Sequence, residues 1–110
     1  MMHVYNIVGA FCVTTAGGQA VYDKIAPLLK EGKKISLSFA KVELIIPTFL
    51  NVAIGQLYGV FTSEQIRELL TVTDMEPDHL VMLKAVVDNA KKYFANRGSK
   101  EKVGGLEEGD

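Results

Sequence analysis

Short runs of strand-forming residues alternate with stretches of helical apolar spacing along most of this chain, and that alternation leaves few ways to fold it. Residues 4–8 and 11–14 are rich in β-formers, and Gly9-Ala10 between them suggests a tight connection, read here as a hairpin. After Gly17-Gly18, residues 19–31 carry Val21, Ile25, Leu28 and Leu29 along one helical stripe. Pro27 cannot donate to residue 23, which predicts a kink or an early stop. Residues 35–39 alternate as a strand does. Pro47 suits the first position of a helix, and residues 48–60 are apolar on nearly every face, which predicts a largely buried helix. Thr62-Ser63-Glu64-Gln65 can cap a short helical turn, and residues 69–73 read as another strand. Leu80, Leu83, Val87, Ala90 and Phe94 mark the last helix, with Asp74, Glu76 and Asp78 suited to its positive end. The order β-β-α-β-α-β-α implies parallel crossovers. The expected fold is therefore an α/β domain, a mixed sheet of about four strands with three main helices packed against it.

With 110 residues, of which 48% are hydrophobic and 23% charged, the chain suits one folded domain rather than a disordered segment. We place that domain at residues 1–97. Beyond Arg97 the composition turns polar and glycine-rich, so residues 98–110 are expected to be a flexible tail. The net charge of −1 offers no basic stripe, which argues against nucleic acid and anionic membranes as partners. The lone Cys12 allows no intrachain disulfide, which fits a reducing compartment. The first residues lack the charged and apolar regions of a signal peptide, and the apolar stretch 49–61 is too short and too interrupted to span a bilayer. The expected location is the cytoplasm.

Catalytic motifs are sparse. Cys12 lies between Phe11 and Val13 in a strand-like run, where a small buried hydrophobe is the expected role. His3 and His79 have no sequence neighbour that makes a nucleophile–base pair, although such partners can assemble in space. Asp74-Met75-Glu76-Pro77-Asp78-His79 lacks the spacing of a calcium loop or a zinc hydrolase, so its acids are read as helix-start residues and no metal is expected. Thr14-Thr15-Ala16-Gly17-Gly18 lacks both the P-loop lysine pattern and the dinucleotide fingerprint, so no cofactor is expected.

The segment 32–61 is more specific. It opens on Gly32-Lys33-Lys34, passes through a strand, and reaches Pro47-Thr48-Phe49-Leu50-Asn51 and then Gly55 on a helix. This resembles the STAS-like domain of unknown function, a bacterial relative of the anti-sigma-factor antagonist domains. The last helix, with Asn89-Ala90-Lys91-Lys92-Tyr93, adds to the likeness, which extends over residues 9–96. The resemblance implies a STAS-like fold and a regulatory module without catalytic activity. It also implies a protein partner, with a histidine-kinase-like ATPase the one suggested by the antagonists. In those proteins a serine at the start of the second helix is phosphorylated by such a partner, and Thr48 falls at the corresponding step. The antagonists carry Asp-Ser-Ser-Gly there, whereas this chain has Ile46-Pro47-Thr48-Phe49.

Two readings of Thr48 follow: a residue that caps or begins the helix, and a phospho-switch. Thr48, Asn51, Gly55 and Gly59 recur at i, i+3, i+7 and i+11 as a small and polar stripe. The two glycines cost about 2 kcal/mol in helix propensity. Close backbone approach is a reason to keep them, against either the domain's own sheet or a partner's helix. The candidate binding residues are thus Pro47, Thr48, Asn51 and Gly55. Two alternatives remain beside the regulatory module. One is a mobile-element or defence-associated inhibitor that acts by protein binding, and the other is a small enzyme using Cys12 or His79. Self-association is a further option for a short chain with exposed apolar surface.

Overall fold

Every strand pairing in the structure is parallel. The structure, a computed structural model, describes the backbone of residues 1–103 and the side chains of residues 1–95. Strand β1 (Met2–His3) leads directly into helix α1 (Val4–Val8), followed by β2 (Phe11–Cys12) and α2 (Thr15–Lys30). Strands β3 (Ile35–Ser38) and β4 (Leu44–Ile45) precede α3 (Pro47–Ala53), which continues into a 3-10 turn at Gly55–Gly59. Helix α4 (Ser63–Leu69), strand β5 (Leu70–Thr73) and helix α5 (Pro77–Val103) complete the order. The strands form two small sheets, β1-β3-β5 and β2-β4, rather than one mixed sheet.

Strand β3 is the centre of the larger sheet, with His3 beside Ser38 and Ser38 beside Thr73. Both faces of this strand are covered, so Ile35, Leu37 and Ser38 are all buried, without the clean alternation of a one-sided strand. In the smaller sheet Cys12 stands beside Ile45, both buried, and Phe11 beside Leu44, both exposed. The core runs from these strands to Val21, Ile25 and Leu29 of α2, Phe49 and Leu50 of α3, and Val86 of α5.

Several local expectations are corrected. Val4–Val8 is a helix, not a strand, and there is no hairpin to residues 11–14 among the described residues. As a helix, Val4, Ile7 and Val8 stand at i, i+3 and i+4 and all meet the core, while Tyr5 and Asn6 face out. A strand would have placed Asn6 on the same face as the two valines. Gly9, at φ 86°, ends the turn in a conformation that glycine adopts freely.

Helix α2 begins at Thr15 rather than after the glycines, because the Thr14 hydroxyl accepts from the Gly17 N–H at 2.9 Å. It also runs through Pro27 to Lys30. The long buried helix expected over residues 48–60 breaks at Ile54. The Thr62 cap is present as a reciprocal capping box with Gln65. In α5, Val86 is the buried anchor and Leu80 is 47% exposed. Residues 98–103, part of the expected tail, carry helical backbone at the end of α5, and residues 104–110 lie outside the described residues. No described helix is long and apolar enough to cross a membrane.

Candidate functional site

Because β2 and β4 are parallel neighbours and each runs into a helix, α2 and α3 start side by side. They pack closely at Gly18, where a Cβ would lie 2.7 Å from the Phe49 carbonyl oxygen and 2.9 Å from Val52 Cβ. Polar side chains reinforce the contact. The Gln56 amide donates to Val52 O at 2.8 Å and to Gln19 Oε1 at 3.1 Å, and Gln19 donates to Asp23 at 2.8 Å.

This packing decides which face of α3 remains outside. Phe49, Leu50 and Ala53 are buried, whereas Pro47, Thr48 and Asn51 are exposed. Pro47 is the first helical residue, where its missing N–H costs no hydrogen bond. Thr48 is the second. The capping position belongs to Ile46, whose side chain makes no capping bond. Thr48 is therefore an accessible hydroxyl at the start of α3, not its cap.

Asn51 and Gly55 form one wall of a groove of about 250 Å³, and Asn89, Ala90, Tyr93 and Phe94 of α5 form the other. The structure thus joins two separated parts of the sequence, residues 51–56 and the Asn89–Tyr93 stretch. It also identifies what the glycines approach, which is α5 rather than the sheet. A Cβ at Gly55 would touch Val86 and Ala90 at an ordinary 3.7–3.8 Å, whereas one at Gly59 would meet the Phe94 ring at 2.6 Å.

The residues considered for catalysis lie on three different elements, β1, β2 and α5. Cys12 is 0% exposed in the core, and burial raises its thiol pKa from 9.0 to about 11. It has neither the access nor the thiolate character that nucleophilic chemistry needs. His79 is half-buried in the first turn of α5, while His3 lines a different pocket with Tyr5, Asn6 and Lys41. No group of three metal-ligating side chains occurs among the described residues.

One polar pair escaped the sequence reading. Ser38 is 0% exposed, and its hydroxyl donates to Asp74 Oδ2 at 2.6 Å while accepting from the Ala40 N–H at 3.2 Å. Asp74 therefore serves the end of the sheet and precedes α5, rather than acting as one of its helix-start acids. Its φ of 59° is left-handed, a conformation aspartate tolerates better than most residues. A serine inside an apolar strand was the available signal, since a buried hydroxyl requires a partner.

Parallel strands feeding packed helices, with an exposed helix start beside a groove, define a small α/β module. The sequence model of the STAS-like domain of unknown function matches residues 17–80, more than half of the chain, and the chain belongs to this family. The match includes Thr48, Asn51 and Gly55 but stops before the α5 side of the groove. No curated protein and no solved structure matches the chain.

Proposed function

We propose that this protein is a non-catalytic regulatory module that binds another protein through the outer face of α3 and the adjoining α5 groove. The supporting observation is the exposure of Thr48 and Asn51 on a short helix whose other side is anchored in the core. Side chains on such a face are available to a partner while the backbone beneath them stays fixed. A histidine-kinase-like ATPase is the partner suggested by the family's kinship with anti-sigma-factor antagonists.

Phosphorylation of Thr48 would switch the contact. It would add about −1.5 to −2 charges at an exposed position. The charge would disfavour an apolar or acidic partner surface through desolvation and repulsion. The fold would tolerate it, because the Thr48 side chain is exposed.

The experiment has two parts. The partner is co-purified from the native host and its footprint mapped by cross-linking, and its affinity is then compared for wild type and Thr48→Glu. The expected outcome is a footprint within residues 43–59 and the facing part of α5. Affinity should change at least fivefold, with the melting temperature moving by no more than about 2 °C. A footprint elsewhere would remove the site, and equal affinities would remove the switch.

A further inference from the structure

A second groove of about 250 Å³ shares no lining residue with the first and lies between α4, β5 and α5. Its floor is apolar, built from Ile66, Leu70, Val72, Leu83 and Val87. Its remaining lining includes the hydroxyl side chains of Tyr58 and Ser63 and the cationic side chains of Arg67 and Lys91. Lys91 Nζ is 5.9 Å from the centre of the Tyr58 ring. Arg67 and Lys91 are exposed, and neither forms an ion pair among the described residues. Asp88 also acts on the Tyr58 hydroxyl, opposing Arg67. Burial raises the Tyr58 pKa, so the phenol keeps its proton and can donate to an anion.

These features constrain a ligand from two sides. An inorganic anion would use the cations and leave the apolar floor unfilled. A neutral hydrocarbon would fill the floor and leave both cations without a counter-charge. A planar carboxylate suits the guanidinium fork, and an apolar body suits the floor. The volume is below the roughly 300–1,000 Å³ of drug-sized sites, which limits that body to a short chain or a single ring. We propose that this groove binds a small amphiphilic monocarboxylate, with its carboxylate held by Arg67 and Lys91 and its apolar body resting against Ile66, Leu83 and Val87. This site is independent of the binding surface at Thr48.

The test uses the full chain, isotopically labelled, titrated with sodium octanoate and followed by amide chemical shifts. 1-Octanol and octylammonium serve as neutral and cationic probes of the same length. Octanoate should shift amides in α4, β5 and residues 83–91 and bind at least tenfold more tightly than either counterpart. Arg67→Gln and Lys91→Gln, both at exposed positions, should each raise the octanoate Kd about tenfold and leave 1-octanol unaffected. Any of four results would overturn the site: no shifts at millimolar octanoate, shifts confined to other parts of the molecule, equal affinity for the three probes, or a Kd unmoved by both substitutions.

Discussion

Ser38 is the only buried polar side chain among the described residues, and its hydroxyl depends on one carboxylate. Removing the donor and removing the acceptor should have unequal effects. Ser38→Ala deletes the hydroxyl, leaving Asp74 exposed to water and the Ala40 N–H without this acceptor, at a cost of about 1–2 kcal/mol. Asp74→Ala leaves the buried hydroxyl without its carboxylate and places alanine at φ 59°, so about 2–4 kcal/mol is expected. Asp74→Asn keeps an acceptor and tolerates that backbone, so it should be the mildest of the three. Urea denaturation checks this ranking, and equal losses for all three would refute it. Ser38 was visible in the sequence as a polar residue in an apolar strand. Asp74 was not visible as its partner, because the two are 36 positions apart and only the β3–β5 pairing brings them together.

Within the elements, the glycines of α2 and of the turn after α3 have different roles. At Gly18 a Cβ would strike the backbone of α3, which cannot swing aside as a side chain end can. Gly18→Ala should therefore cost about 2–3 kcal/mol by forcing the helices apart. At Gly55 the added methyl finds ordinary contacts at 3.7–3.8 Å. Gly55→Ala should be neutral or stabilising by up to about 1 kcal/mol, because alanine restricts the unfolded chain. Thermal melts should separate the pair by roughly 8 °C or more. Comparable melting temperatures would mean that α2 and α3 do not pack through Gly18. The stripe of small residues was legible in the sequence, but the break in the helix that carries it was not. Ile54 ends α3, and the glycines then lie in a tighter 3-10 turn beneath α5. Helix α1 shows the same limit of local patterns. Four of its five residues, Val4, Tyr5, Ile7 and Val8, have strong strand preferences, yet the helical face of Val4, Ile7 and Val8 seals the core.

For the whole molecule, the buried Cys12 thiol links folding to alkaline pH. Its pKa is about 11 when folded against 9.0 ordinarily, so the unfolded chain gives up this proton first as pH rises. Its contribution to stability is complete below pH 9, falls as pH rises toward about 11, and levels off above that. Two pH units correspond to at most about 3 kcal/mol. Wild type should therefore lose more stability than Cys12→Ala between pH 8.5 and 11, as read by urea melts at each pH on both proteins. Parallel slopes for the two would show that the thiol ionises as readily in the fold as outside it.

The residues alone settle the class of this protein. Strand-forming runs alternating with helical stripes require crossovers, and crossovers require parallel strands packed under helices. The segment from Gly32 to Phe61 likewise carries its family in its own order of residues. These properties are encoded over a few neighbouring positions, where side-chain periodicity and turn chemistry act. Tertiary structure decided the rest: the division into two sheets, the pairing of β2 with β4, the Ser38–Asp74 bond and the facing of Asn51 by Asn89. Each joins residues far apart in the chain, and their positions depend on which apolar faces can be buried together. The helix at Pro47-Thr48 belongs to both descriptions. Its start was written in a proline, and its free outer face was set by what packed against Phe49 and Leu50.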